Sequence, residues 1–178
     1  MTTRIKLALA IGLTAALAIA GTAAVAGGGK QLKGALNGYE EVPAVSTSAS
    51  GTFRATVAPA GDALHYKLEY SALEGGVTQS HIHFGQRNVN GGISAFLCSN
   101  LGNGPAGTQA CPPGPATVEG TITAADVVGP TAQGIAPGEL DELMRAIRAG
   151  VTYANVHSMK FPGGEIRAQL RAGWAHGR

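Results

Sequence analysis

The sequence predicts a mostly β fold, an antiparallel β-sandwich or flattened barrel with one amphipathic helix. Apolar and polar residues alternate in short segments, which is typical of half-buried strands. Thr52–Val57 and Leu64–Tyr70 show this alternation most clearly, and the Pro- and Gly-containing turn 58–62 between them predicts a hairpin. The other strand candidates are Val77–Phe84, Ile93–Leu97, Ala116–Ile122, Val151–His157 and Gly164–Leu170.

One segment has helical periodicity instead. Its apolar residues recur at i, i+3, i+4 and i+7, and they are Leu140, Leu143, Met144 and Ile147. Acidic side chains fill the first turn after Pro137 and arginines fill the last turn before Gly150, as the helix dipole favours. We therefore expect one amphipathic helix that packs on the sheet.

The N-terminal residues 1–26 have the pattern of a secretory signal peptide. Arg4 and Lys6 precede the apolar run Leu7–Ala20, and the small residues Ala24–Ala26 follow it. The run of about 14 residues is shorter than the roughly 20 that a membrane-spanning helix needs. This pattern predicts cleavage after Ala26, a secreted or periplasmic product, and no stable membrane span after cleavage.

The rest of the chain is predicted to form one domain. We expect a flexible segment over 27–32, a β domain over 33–171 and a C-terminal tail over 172–178. Loss of the basic residues in 1–26 would lower the 13 basic residues to 11, which equals the 11 acidic residues. A near-neutral domain without an arginine-rich run does not favour a nucleic-acid partner.

The two cysteines, Cys98 and Cys111, are predicted to form a disulfide. Outside the cytoplasm an even number of cysteines favours pairing. The segment between them is rich in Gly, Asn and Pro, and closing a loop of that size stabilises a fold by about 3 kcal/mol. A metal site is the alternative, although the spacing matches no zinc pattern.

Three histidines could form a metal site. His81 and His83 are two positions apart in a strand, so both side chains should point to one face. His157 ends another strand candidate, with Asn155 on its own face. If the two strands pair, three imidazoles could bind copper or zinc. The alternative is a structural hydrogen-bonded cluster of neutral histidines, and His65 is expected to be solvated.

No catalytic residues are predicted. The chain lacks a nucleophile elbow, a P-loop and a dinucleotide-binding fingerprint, so the sequence does not indicate an enzyme. Glu165 and Arg167 should share a strand face and form a surface or half-buried ion pair. We expect these two residues and Asn155 to have structural roles.

Several of these segments resemble the CHRD domain, which is named for chordin and also occurs in secreted bacterial proteins. The similarity lies in Leu36–Pro43, which has the pattern L-x-G-x-x-E-V-P, in His81–Gly85, in Gly150–Ser158 and in Phe161–Leu170. One difference is Ala168, where the family commonly has Gly. The resemblance covers about 33–171 and implies an all-β extracellular module whose activity is poorly defined.

Two main functions follow from these observations, and an enzyme that acts on an unknown substrate is a third alternative. The first is a secreted or periplasmic binding or structural module, without evident catalysis, for an unknown extracellular or envelope ligand. The second is a copper- or zinc-binding protein that uses His81, His83 and His157. The His-x-His-x-Gly element is similar to the copper-binding strand of copper/zinc superoxide dismutase, but the zinc loop of that enzyme has no counterpart in this sequence.

Overall fold

The fold is described by a computed structural model that covers residues 31–173. The predicted signal peptide, its cleavage site and the last five residues lie outside the described part. One helix of nine residues, α1, spans Leu140–Arg148. The nine strands are β1 Gln31–Asn37, β2 Ser50–Val57, β3 Leu64–Ser71, β4 Val77–Phe84, β5 Gly92–Ser99, β6 Ala116–Ile122, β7 Thr152–Ser158, β8 Ile166–Gln169 and β9 Arg171–Gly173.

The strands form a single antiparallel sheet in the order β5-β4-β7-β8-β1-β2-β3-β6, and β9 also pairs with β1. Only Leu170 separates β8 from β9, and the two pair with successive parts of β1. The two edge strands, β5 and β6, approach each other, and the Tyr66 hydroxyl of β3, the neighbour of β6, donates to the Leu97 carbonyl of β5 at 2.7 Å. The Gln109 side-chain amide bridges the Leu97 and Glu119 carbonyls. The sheet is therefore a nearly closed barrel, which decides between the two predicted β architectures.

The apolar core lies on the inner face of this sheet. In β3, Leu64, Tyr66, Leu68 and Tyr70 are buried, and the residues between them are exposed or partly exposed. The predicted apolar stripe of α1 packs into the same core. The expectation of one core-covering helix is therefore confirmed. No helix within residues 31–173 is long and apolar enough to cross a membrane.

The predicted strands occur near their expected positions, with differences at the sheet's N- and C-terminal strands. β1 and β9 were both absent from the candidates, and β9 extends into the expected tail. β1 includes Gln31 and Leu32 from the segment expected to be flexible. Leu32 is buried in the core, so this part of the segment belongs to the folded domain. The strand expected over 164–170 begins at Ile166, because Gly164 adopts a positive φ of 126° that a strand does not contain.

The predicted disulfide is present between Cys98, near the end of β5, and Cys111, in the loop before β6. Both cysteines are buried. The Asn100 side chain holds the loop further, because its amide donates to the Cys111 carbonyl and its oxygen accepts from the Cys111 N–H.

Candidate functional site

The three candidate histidines lie on the face of β4 and β7 opposite the core. His81 and His83 share this face of β4, and Ile82 between them is buried in the apolar core. β7 pairs directly with β4 in a register that sets Asn155 opposite His81. His157 therefore lies on the same face, two positions from Asn155, and the pairing of these strands, which the sequence left open, brings it to the other two histidines.

The three imidazoles are close enough to share one ligand. One nitrogen from each ring lies within 4.8 Å of the others. The ring centroids of His81 are 5.3 Å from His83 and 5.0 Å from His157, and those of His83 and His157 are 6.4 Å apart. A metal–nitrogen distance of ~2.0–2.1 Å needs nitrogens that are about 3–4 Å apart. The spacing of the three rings is therefore close to what a shared ion requires.

Backbone carbonyls fix the tautomers of two rings. His83 Nδ1 donates to the Gly91 carbonyl at 2.9 Å, and His157 Nδ1 donates to the Pro162 carbonyl at 2.9 Å. A carbonyl can only accept, so each Nδ1 carries a proton and each Nε2 presents a lone pair. His81 Nδ1 then donates to His157 Nε2 at 3.2 Å. The Nε2 atoms of His81 and His83 are buried and have no hydrogen-bond partner in the described part.

Burial keeps these histidines neutral. It lowers the pKa of His81 from 6.5 to about 2, with the neighbouring His157 and His83 adding to the effect. Burial also lowers the pKa of His83 to about 4, although the hydrogen bond to Gly91 opposes this shift. The pKa of His157 is lowered by burial as well. The cluster therefore offers unprotonated imidazole nitrogens at neutral pH, which is the form that binds metals.

Aromatic rings hold the cluster in place. Phe96 of β5 packs edge-on against His81, with ring centroids 4.5 Å apart. The Tyr153 ring stacks parallel to the His83 ring, with centroids 4.7 Å apart. The Arg167 guanidinium lies over the Tyr153 ring, 3.3 Å from its centroid. These contacts limit rotation of the imidazoles.

The prediction of an ion pair between Glu165 and Arg167 is wrong. Each of these side chains bonds to other residues. Glu165 precedes β8, so the two residues do not share a strand face. The Glu165 carboxylate is fully buried, and it accepts from the Thr47 hydroxyl at 2.7 Å and from the Glu74 N–H at 2.9 Å. It thereby joins the loop before β2 to the loop before β4.

Arg167 instead holds the loop between β4 and β5. Its guanidinium donates to the carbonyls of Val89, at 2.9 Å, and Gln86, at 3.3 Å, and to Asn90 Oδ1 at 3.2 Å. Because this loop also supplies the Gly91 carbonyl, Arg167 positions the partner of His83. Asn155 lies between these groups, since it is opposite His81 in β4 and opposite Arg167 in β8.

Glu41 is a member of this polar face that the residue-by-residue reasoning missed. It is 6% exposed, and its Oε1 has no hydrogen-bond partner among the described residues. Burial raises its pKa from 4.5 to about 7, and Arg167, the Val42 N–H and Asn155 partly offset this effect. An added Cβ at Gly164 would lie 2.5 Å from Glu41 Oε1, so the carboxylate packs directly on this glycine. The signal for Glu41 was its place in the L-x-G-x-x-E-V-P motif.

His65 lies away from the cluster, as expected. It is exposed on β3, where its Nδ1 is 2.9 Å from the Thr121 hydroxyl.

The fold and the site define a nearly closed antiparallel β-barrel with a buried three-histidine cluster on its outer face. The sequence model of the CHRD domain matches residues 32–170. Since this range covers most of the chain, the protein belongs to the CHRD domain family, and this membership supports a binding or structural module. A comparison with curated proteins and a comparison with solved structures found no match.

Proposed function

We propose that this protein is a CHRD-domain binding or structural module that acts outside the cytoplasm and holds a copper or zinc ion through His81, His83 and His157. Two observations support the location. The first 26 residues have the order of a secretory signal, and the Cys98–Cys111 disulfide is a feature of oxidising compartments.

The unpartnered Nε2 atoms of His81 and His83 carry the metal proposal. Buried polar atoms normally have a hydrogen-bond partner, and leaving one without a partner destabilises a fold by about 1–3 kcal/mol. An ion within reach of both atoms would satisfy the two lone pairs at once. The hydrogen bonds from His83 and His157 to backbone carbonyls are also the outer-shell contacts that orient metal-binding histidines.

The donor set fits copper or zinc. Three neutral imidazoles suit both metals, whereas calcium and magnesium prefer oxygen ligands. The three histidines are at most 8% exposed, so a bound ion would be shielded from solvent. Such shielding favours a firmly held ion that stabilises the module.

Metal titration of the stripped protein tests this proposal. Residues 27–178 are produced without a histidine tag, treated with a chelator, and titrated with Cu²⁺ and with Zn²⁺. We expect binding of one equivalent and a rise in thermal stability. His83→Ala and His157→Gln should lose this binding, and His65→Ala, which removes an exposed histidine, should retain it.

A hydrogen-bonded cluster without metal is the competing interpretation. Folded wild-type protein that takes up neither metal, or variants that bind as well as wild type, would establish it instead. Circular dichroism of each variant separates loss of the site from loss of the fold.

Export is tested separately. The full-length chain is expressed in a bacterial host, and the mature protein is recovered from the periplasm or the medium for N-terminal sequencing. We expect the mature chain to begin at Gly27. An intact N-terminus on protein that stays in the cytoplasm would contradict the proposed location.

A further inference from the structure

Three basic side chains lie side by side across adjacent strands, on a part of the sheet away from the histidines. The register sets Lys33 of β1 opposite Arg171 of β9 on one side and opposite Arg54 of β2 on the other. All three residues are exposed. Adjacent strands are ~4.8 Å apart, and like charges directly opposite each other destabilise a sheet. We call these three residues the basic row.

Among residues 31–173, none of the three residues of the basic row forms an ion pair. All 11 acidic residues of the chain belong to the part that the structure describes. Lys67 of β3 lies opposite Arg54 in the register and, unlike the basic row, has acidic partners. It pairs with Glu69 at 3.0 Å and with Glu119 at 3.6 Å. Compensation for the row is weak: the pKa of Glu69 is lowered mainly by Lys67, and Arg54 is the smallest contributor to this shift.

The row lines a groove on the surface of the sheet. The groove has a volume of about 370 Å³, and all three basic residues border it. Arg87 borders the groove as well, next to its partner Glu40, which accepts from the guanidinium at 2.7 Å. The lining also includes the small residues Gly34, Ala35 and Ala168, which leave room for a ligand close to the strands.

We propose that the basic row binds an acidic polysaccharide that carries a carboxylate on each sugar. A polymer with regularly spaced anions can place one anion beside each of three cations in a line, whereas one small anion supplies its charge at a single point. Single-stranded nucleic acid would in addition need an accessible aromatic side chain for base stacking. The aromatic residue of the groove, Phe53, is fully buried. A destabilising arrangement of like charges is retained most readily where a ligand uses it.

Polygalacturonate is the probe for this proposal. We expect the untagged protein to bind it in dilute buffer and to bind more weakly as NaCl is raised, because salt screens exposed charges. Lys33→Gln combined with Arg54→Gln should weaken the affinity about tenfold. The control combines Arg145→Gln with Lys160→Gln, which remove the same charge from residues outside the groove, and it should bind as wild type does.

A stability measurement adds a readout that a purely structural role would not give. Lys33→Gln alone should raise the thermal stability while it lowers the affinity, since it removes repulsion with both neighbours in the row. His83→Ala should bind polygalacturonate normally, so failure of the metal proposal and failure of this one are distinguishable.

Three results would overturn the proposal. These are no binding of polygalacturonate by wild type, an equal loss in the control variant, and tighter binding to duplex DNA or to anionic lipid vesicles than to the polysaccharide.

Discussion

His81 Nδ1 lies 3.2 Å from His157 Nε2, although 76 positions separate the two residues in the chain. The hydrogen bond from His157 Nδ1 to Pro162 assigns the direction of this contact, with His81 as the donor. Metal binding through His157 Nε2 would therefore replace the His81–His157 hydrogen bond. In the metal-free protein this bond joins two of the buried imidazoles directly.

Acid should destabilise the metal-free protein through these histidines. Their pKa values are lower in the folded state than the ordinary 6.5, down to about 4 for His83 and about 2 for His81. The stability that they contribute is present above pH 6.5 and is lost as the pH falls through the folded-state values. Each buried histidine should add up to about 1.4 kcal/mol per pH unit to this loss.

Urea unfolding of the stripped protein between pH 7.5 and 4.5 measures this effect. His83→Gln should show a shallower decline of the unfolding free energy than wild type, and His65→Gln should not differ from it. A decline that is equally steep in His83→Gln would show that His83 does not drive the acid sensitivity.

Glu41 should have the opposite pH dependence. Burial raises the pKa of its carboxyl from 4.5 to about 7, so the folded state holds the proton more tightly than the unfolded state. The resulting stability is fully present below pH 4.5 and is lost as the pH rises through 7. Glu41→Gln cannot ionise, so its stability relative to wild type should increase by about 2–3 kcal/mol between pH 4.5 and 8. Parallel urea titrations at these pH values measure the difference, and a constant difference would show that Glu41 ionises normally.

Replacement of Arg167 by lysine should destabilise the fold even though the charge is kept. The guanidinium contacts three acceptors in the loop between β4 and β5 and stacks on Tyr153. A lysine ammonium has neither the planar fork nor the stacking surface. We expect Arg167→Lys to lower the unfolding free energy by about 2 kcal/mol. Arg148→Lys on the exposed side of α1 should change it by less than about 0.5 kcal/mol.

Hydrogen exchange gives a local readout of the same substitution. In Arg167→Lys the amides of residues 86–91 should exchange faster, while those of β2 and β3 keep their protection. Unchanged exchange in this loop would mean that Arg167 does not position it.

Removal of the disulfide should weaken the fold without changing the histidine cluster. Cys98 and Cys111 are 13 positions apart, and opening a loop of this size destabilises the folded state by about 3 kcal/mol. Cys98→Ser combined with Cys111→Ser should lower the midpoint of thermal unfolding, and a reductant should have the same effect on wild type. The double variant should not respond to reductant, and any response would point to an effect other than reduction of this bond.

The sequence alone was sufficient for the local parts of the fold. Alternating patterns such as Leu64–Tyr70 predicted strands, and the periodicity of residues 140–147 predicted the helix, because each pattern reflects one buried face. The sequence also placed His81 and His83 on one face, since residues two positions apart in a strand point to the same side. β1 was missed because its pattern is short and contains Gly34, and the buried Leu32 becomes evident only once its neighbours in the sheet are known.

Only the tertiary structure decided which distant residues meet. The pairing of β4 with β7 brought His157 to the other two histidines, and the loops supplied the carbonyls that fix their tautomers. The tertiary structure also showed that Glu165 lies before β8 and does not share a strand face with Arg167. It set Lys33 opposite two arginines from other strands. The physical reason is that strand order and register depend on how the whole sheet closes around its core, and no local run of residues contains that information.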